Sequence, residues 1–161
     1  MKIREATPAD AGAIKLMIRE LVAYEGISAE LNFTVEQLAA ALTGTPPKLH
    51  ALVAEDAEGV AGFVTYTIDF MLWTGGDILR IDDLFVRERA RGAGAGTALM
   101  ARIAEIAIDA GVPCRWEIEV PNARAQRFYA TLGAEIRDKK IARWSLMAMR
   151  AALAKLSRSS T

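Results

Sequence analysis

The sequence predicts a mixed α/β domain, with an antiparallel sheet in its first half and a β-α-β unit in its second half. Two observations predict this class. Strands and helices follow the order β-α-α-β-β-β-α-β-α-β, and a glycine-rich turn joins a strand to a helix after residue 90. The chain has 161 residues, of which 52% are hydrophobic, so it can fold as one domain around a substantial core.

The first predicted elements are a short strand over residues 2–6 and two helices. The segment Thr7–Asp10 provides an N-cap, a proline for the first helical position and an acid for a capping box. Apolar residues then recur at helical spacing until Gly26, which we expect to end the helix. A second short helix begins at Thr34, and the glycine and prolines of 44–47 break it.

Three strands follow, over residues 49–54, 60–70 and 78–86. The first two are separated by a turn and predict a hairpin. After the third strand and the glycine-rich turn, residues 97–110 place apolar side chains on one helical face, and a glycine and a proline end this helix.

The last predicted elements are a strand, a helix, a second strand and a short helix that reaches residue 156. Residues 115–120 alternate polar and apolar, which is typical of a half-buried strand, and we expect this strand to run parallel to 78–86. Asn122 caps the next helix, and Gly133 ends it. The final strand is predicted over 141–147.

The composition excludes several classes of protein. The chain has 20 basic and 20 acidic residues, which argues against a dedicated nucleic-acid binder. Cys114 is its single cysteine, so neither an intrachain disulfide nor a structural zinc site is expected, and no metal site is predicted. The sequence contains no apolar run long enough for a membrane span and no signal-peptide pattern, so we expect a cytoplasmic protein with no membrane partner.

The glycine-rich turn Arg91–Gly96 is the strongest local indication of function. A strand, such a turn and a helix together can hold a phosphate, because main-chain N–H groups at the helix start point at the anion. Spacing alone leaves a flexible connection as an equal alternative. The turn lacks the Gly-Lys-Ser/Thr ending of a P-loop, and too many elements precede it for a dinucleotide-binding motif.

Two separated motifs, in this order of elements, resemble the GCN5-related N-acetyltransferase (GNAT) superfamily over nearly the whole chain. The first is Arg91-x-x-Gly94-x-Gly96, and the second runs from Asn122 through Phe128 and Tyr129 to Gly133. The resemblance implies a single mixed β-sheet with two splayed parallel central strands flanked by helices. It also implies a domain over residues 1–156 and a polar tail over 157–161.

A closer resemblance is to the diamine branch of this superfamily, which acetylates spermidine, spermine and thialysine. The features that carry it are Tyr24-Glu25, Trp73, the segment Ile81–Val86 and Arg91-Gly92. That branch typically has Leu-Glu-Asp where this chain has Ile-Asp-Asp, and it typically has a tyrosine near Arg80.

The resemblance implies acetyl-coenzyme A (acetyl-CoA) as cosubstrate, a small-molecule amine as acceptor and a homodimer. It assigns acetyl-CoA to the strand before the turn, the turn and its helix start, and two residues of the second motif: Leu84, Phe85, Val86, Arg91, Gly92, Ala93, Gly94, Ala95, Gly96, Thr97, Asn122 and Tyr129. It assigns the amine to Asp82, Asp83, Glu25 and Trp73.

The chemistry of amine acetylation gives two of these residues catalytic roles. Deprotonating a primary amine of pKa ~10.4 at neutral pH costs roughly 4 kcal/mol, so a nearby carboxylate is useful. By family position Asp82 is the proton acceptor or cation binder, and Asp83 binds the substrate cation. By its place in the second motif, the resemblance makes Tyr129 the candidate general acid for the thiolate. From the residues alone, a salt-bridged edge involving Arg80 and a packed aromatic remain the alternatives.

On a regular strand Asp82 and Asp83 point to opposite faces, and a β-bulge would change this. The predicted function is direct transfer of an acetyl group from acetyl-CoA to a polyamine, a diamine or a lysine-like amino acid in a ternary complex. A GNAT enzyme acting on a protein lysine or N-terminus is one alternative, and a non-catalytic acetyl-CoA-binding module is the other.

Overall fold

The computed structural model describes residues 1–26 and 30–158, which form two compact units, Met1–Glu117 and Ile118–Thr161. The first unit contains a five-stranded sheet and three helices: β1 (Lys2–Glu5), α1 (Ala11–Glu25), α2 (Val35–Thr43), β2 (His50–Asp56), β3 (Gly59–Met71), β4 (Gly76–Val86), α3 (Ala95–Ala110) and β5 (Cys114–Arg115). The second unit contains α4 (Ala123–Thr131) and α5 (Leu146–Arg158).

The sheet has the strand order β1-β2-β3-β4-β5. Neighbouring strands are antiparallel except β4 and β5, which are parallel. The chain returns from β4 to β5 through α3, as the predicted β-α-β unit requires. The mixed sheet flanked by helices is therefore confirmed.

The predicted starts of the first two helices are confirmed by their side-chain hydrogen bonds. The segment Thr7–Asp10 forms a capping box in a short 3₁₀ turn that leads into α1, and Gly26 ends α1 with a φ of 65°. At α2 the main-chain N–H of Thr34 donates to Gln37, and the N–H of Gln37 donates back to the Thr34 hydroxyl oxygen.

The core of the first unit lies on both faces of the sheet. Ile14 and Met17 of α1 pack with Phe63 and Phe85 on one face. On the other face α3 packs against β2, β3 and β4 and buries residues that include Leu99 and Ile103. The strands that carry the predicted site residues are thus fixed from both sides.

The second half of the chain differs from the prediction in two places. Strand β5 contains only Cys114–Arg115, whereas residues 115–120 were predicted as the strand. The strand predicted over 141–147 is wrong, because residues 134–145 form no regular element and α5 begins at Leu146. The Ser145 hydroxyl accepts the N–H of Ala148, and this cap starts a helix rich in Ala, Leu and Met inside the predicted strand.

Helix α5 continues through Arg158, so the first two residues of the predicted polar tail are helical, and residues 159–161 lie outside the described residues. The domain boundary at residue 156 stays a prediction. The helices of the described part of the chain are each too short or too polar to cross a membrane.

Candidate active site

A β-bulge in β4 lies at the predicted acidic pair. Tyr66 of β3 pairs with Ile81, and the next residue back along β3, Thr65, pairs with Asp83, so Asp82 is the extra residue. Consecutive residues of β3 point to opposite faces, and each pair across an antiparallel ladder shares a face. Asp83 therefore points to the face opposite to Ile81, although the two are only two positions apart.

The bulge places both acids on the same face of the sheet. Arg80 pairs with Thr67 and shares the face of Thr65 and Asp83, and its Nε lies 3.7 Å from the Oδ1 of Asp82. The main-chain N–H of Asp83 donates to the Thr65 hydroxyl oxygen at 3.2 Å, which fixes the irregular register. The alternating arrangement expected of a regular strand is thus replaced by two adjacent carboxyl groups.

Both carboxyl groups have pKa values above the ordinary range. Burial raises the pKa of Asp82, the nearby Arg80 opposes this rise, and the Asp69 carboxylate adds to it. Burial also raises the pKa of Asp83, and the negative charge of Asp82 raises it further. A carboxylate with a raised pKa is a better proton acceptor than an ordinary surface acid.

Arg80 connects the acidic pair, Asp82 and Asp83, to β3. Its Nη2 lies 3.1 Å from the Oδ2 of Asp69, and the Thr67 hydroxyl donates to the same carboxylate. The Asp82 side chain remains 36% exposed beside Arg80. The salt-bridged edge that was the alternative interpretation is therefore present, and it leaves Asp82 accessible.

A cavity of about 230 Å³ opens where the parallel pairing of β4 and β5 stops. The pairing covers Leu79 with Cys114 and Arg80 with Arg115, while β4 continues to Val86. The cavity is lined by residues from both strands and from the segment that follows β5: Arg80, Ile81, Asp82, Arg115, Trp116 and Glu117. The divergence of the two strands thus creates a concave site that contains Asp82.

The predicted acetyl-CoA segment of β4 begins three residues after the cavity. Leu84 and Phe85 pair with Val64 and Phe63 of β3, and Phe85 is buried. In a sheet, main-chain groups alternate between the two neighbouring strands. Among the described residues β5 pairs with β4 only at Leu79 and Arg80, so β5 does not occupy the outward-facing main-chain groups of residues 84–86, where the Val86 carbonyl accepts from Arg91.

In the turn after β4, two of the glycines adopt the left-handed backbone conformation that favours glycine. Gly92 and Gly94 have φ values of 79° and 84°, which side chains other than glycine rarely adopt. Gly94 is the N-cap of α3, and no side chain of the described residues caps this helix end. The first N–H groups of α3 thus have no side-chain cap among the described residues. Of the other residues predicted to hold acetyl-CoA here, Ala93 and Thr97 are exposed, Gly96 is half-buried and Ala95 is buried.

Arg91 fixes the turn to the rest of the first unit. Its Nε donates to the carbonyl oxygen of Val86 at 2.8 Å, and its guanidinium carbon lies 4.5 Å from the centre of the Tyr24 ring. The same guanidinium lies 5.5 Å from the Phe85 ring centre. The arginine of the motif thus joins the turn to α1 and β4.

The second motif lies in the second unit. The Asn122 side chain accepts the N–H of Ala125 at 3.0 Å, which confirms its N-cap role at α4. Tyr129 is only 8% exposed, its ring centre lies 5.1 Å from that of Phe128, and burial raises its pKa to about 12. The tyrosine is therefore protonated at neutral pH.

Three predicted amine-binding residues, Asp83, Glu25 and Trp73, are not part of the cavity lining. Glu25 is the last residue of α1 and is half-buried. Trp73 lies in the turn between β3 and β4 and is 96% exposed. Gly76, the first residue of β4 after that turn, is six residues from Asp82, so Trp73 lies on the order of 20 Å from it along the strand.

No local pattern in the sequence marks the partners of the acidic pair. Asp69 lies near Arg80 because the pairing of β3 with β4 that starts at the turn places Asp69 opposite Ile78 and Thr67 opposite Arg80. Arg115 and Glu117 were visible as the polar side of a predicted strand, but their place in the cavity depends on the point where β4 and β5 diverge.

Comparison with known proteins identifies the family. The model of the Acetyltransferase (GNAT) family matches residues 17–134. Bovine thialysine N-epsilon-acetyltransferase is 35% identical over 142 residues, which are 83% of this chain and 83% of that protein. A human spermidine/spermine N(1)-acetyltransferase-like protein 1 is 27% identical over 141 residues, which are 83% of this chain and 20% of the human protein.

A solved integron cassette protein from Vibrio cholerae has a TM-score of 0.72 and 29% identity, and the match covers 96% of this chain and 97% of that one. The chain therefore belongs to the GNAT family of acetyltransferases, and it is an N-acetyltransferase. Members of this family generally use acetyl-CoA as the acetyl donor.

Proposed function

We propose that this enzyme transfers an acetyl group from acetyl-CoA directly to the primary amine of a small molecule in a ternary complex. The acceptor is a polyamine, a diamine or a lysine-like amino acid. The observation that carries the proposal is the cavity at the divergence of β4 and β5, whose lining includes the partly exposed Asp82 and a second acid, Glu117. Similarity to thialysine and spermidine/spermine acetyltransferases supports this class of acceptor.

Asp82 accepts the proton that the amine loses, directly or through water. The ammonium form is bound by carboxylates, and Asp83 contributes charge on the same face. An ordinary Asp with a pKa of about 3.9 is a poor base for an amine, and the raised pKa of Asp82 narrows this gap.

The turn and the second half of β4 hold the cosubstrate, which supplies the acetyl group as a thioester. The N–H groups at the start of α3 suit its phosphates, because the glycines of the turn carry no Cβ. Apart from the Val86 carbonyl, which accepts from Arg91, the outward-facing main-chain groups of residues 84–86 suit the pantetheine arm, and Asn122 is the further contact in the second motif.

Tyr129 donates a proton to the sulfur that leaves. In the complete reaction the amine nitrogen forms a bond to the acetyl carbon and the carbon–sulfur bond breaks. The proton from the amine passes to Asp82, and the thiolate takes one from Tyr129. Burial raises the pKa of Tyr129 to about 12, so the phenol carries its proton at neutral pH and is a weaker acid than an exposed tyrosine.

We also propose that the enzyme is a cytoplasmic homodimer. The dimer is supported by the exposed apolar surface of the β3–β4 hairpin, which includes Ile68, Phe70, Leu72 and Trp73. Burial of this surface against a second copy would also bring Trp73 into a protected environment. Light scattering on the purified protein tests the dimer, and Trp73→Ser would shift it toward monomer.

The test of the proposed function is release of free thiol from acetyl-CoA in the presence of an amine panel. The panel contains spermidine, putrescine, thialysine, lysine and a lysine-containing peptide. Saturable turnover with a small amine, strongly reduced in Asp82→Asn and retained in Asp77→Asn on the same strand, is the expected result. Turnover with the peptide alone would replace the small-molecule acceptor, and acetyl-CoA binding without turnover would indicate a binding module.

A further inference from the structure

Two arginines lie side by side at the cavity. Arg80 and Arg115 are paired residues of the parallel strands β4 and β5, and both line the cavity. Paired residues of neighbouring strands share a face, and like charges placed directly across a ladder repel each other. Such an arrangement is costly unless anions offset the two positive charges.

The two guanidinium groups differ in their carboxylate partners. Arg80 is paired with Asp69 at 3.1 Å and with Asp82 at 3.7 Å. Arg115 is exposed, and among residues 1–26 and 30–117 no carboxylate lies within ion-pair distance of it. One side of the cavity therefore presents a cation without a partner in this unit.

The same cavity also carries two carboxylates, Asp82 and Glu117. Its lining thus contains two positive and two negative side chains, together with Ile81 and Trp116 as apolar surface. A polyamine offers only positive charge and would leave Arg115 without a counter-ion. A molecule with both an ammonium group and a carboxylate would complement both pairs.

We propose that Arg80 and Arg115 form a carboxylate subsite, which makes an amino acid with a terminal side-chain amine the preferred acceptor. The α-carboxylate of the amino acid bridges the two guanidinium groups, and its side chain carries the reacting amine toward Asp82. The cavity of about 230 Å³ suits a molecule of this size. This inference rests on the proposed function and selects one of its three acceptor classes.

Lysine and cadaverine test the subsite, because cadaverine is lysine without its carboxylate. Lysinamide, in which the carboxylate is neutralised and the shape is kept, is the third substrate. We expect kcat/KM for lysine to exceed that for the other two by about 10-fold or more, as expected when a charge-assisted contact is lost. Equal or better turnover of cadaverine would overturn the subsite and leave the proposed function standing.

The variant Arg115→Gln tests whether the preference for lysine over cadaverine comes from this cavity. We expect it to raise KM for lysine about 10-fold while leaving KM for cadaverine unchanged or lower, since a repelling cation is removed. Arg80→Gln is the second variant, and Arg102→Gln, an exposed α3 arginine paired with Glu105, is the control. An equal change for both substrates would contradict the subsite, and no turnover of any amine by the unaltered enzyme would overturn the proposed function as well.

Discussion

Two arginines in the same sheet each contact two carboxylates, but with different geometry and different consequences. Arg4 in β1 forms paired hydrogen bonds to Asp10 at 2.8 Å and to Glu55 at 3.1 Å. Arg80 in β4 contacts Asp69 at 3.1 Å and Asp82 at only 3.7 Å. We call these the Arg4 cluster and the Arg80 cluster.

The pKa values of the acids follow this geometry. The Arg4 guanidinium, with help from Thr7, lowers the pKa of Asp10 to about 2. In the Arg80 cluster the contact with the arginine is too loose to offset burial, so the pKa of Asp82 is raised. A tightly bound carboxylate stabilises the fold and is a poor base, while a loosely bound one keeps its capacity to accept a proton.

When one carboxylate of each cluster is replaced in turn, the largest difference between the two variants should be in catalysis. Asp82→Asn removes the proton acceptor and should lower kcat by about 100-fold or more, as measured by thiol release at saturating amine. Asp10→Asn should leave kcat within about 3-fold, because the Arg4 cluster contacts no residue of the cavity. A similar loss of kcat in both variants would show that Asp82→Asn lowers activity by disturbing the fold and not by removing a proton acceptor.

The second difference is in the free energy of unfolding. Here Asp10→Asn, and not Asp82→Asn, should have the larger effect. Asp10→Asn breaks a paired, largely buried contact, so the free energy of unfolding should fall by about 2 kcal/mol. Asp82→Asn should leave it unchanged or raise it slightly, because a partly buried charge is removed. Urea unfolding followed by circular dichroism measures both, and a larger loss in Asp82→Asn would refute the assignment of the clusters.

A smaller effect concerns the acetyl-CoA turn, which is separate from both clusters. Gly94→Ala forces a Cβ into a backbone with a φ of 84°, at a cost of about 1–2 kcal/mol. We expect KM for acetyl-CoA to rise about 10-fold and KM for the amine to stay the same. Gly12→Ala in α1 is the control, since its Cβ meets no atom within 4 Å. Unchanged KM in Gly94→Ala would remove the turn from the cosubstrate site.

The sequence predicts the Arg4 cluster and the turn better than the Arg80 cluster, for a physical reason. Thr7, Pro8 and Asp10 act within one turn of chain, and the positive φ of Gly92 and Gly94 is a local property of glycine. The Arg80 cluster depends instead on the pairing of β3 with β4, which places Asp69 near Arg80, and on a one-residue bulge, which turns Asp83 to the face of Arg80. Long-range pairing of this kind leaves no local pattern.

The failures near the C-terminus have a related origin. Residues 141–147 alternate enough to predict a strand, but the Ser145 cap and the high helix propensity of the following residues favour α5. The end of β5 after Arg115 likewise depends on where it diverges from β4. Local patterns therefore identified the elements up to α3 and helix α4, local helix signals favour α5 over the predicted strand, and tertiary context decides the end of β5.

The pH dependence of kcat/KM, measured for the unaltered enzyme and for Asp82→Asn, reports directly on whether Asp82 is the proton acceptor. We predict that activity falls as the pH falls through the pKa of Asp82, which lies above the ordinary Asp value, because protonated Asp82 accepts no proton. This acidic limb should be absent from the residual activity of Asp82→Asn and present in Asp77→Asn. An identical limb in all three proteins would contradict the role of Asp82 as the proton acceptor.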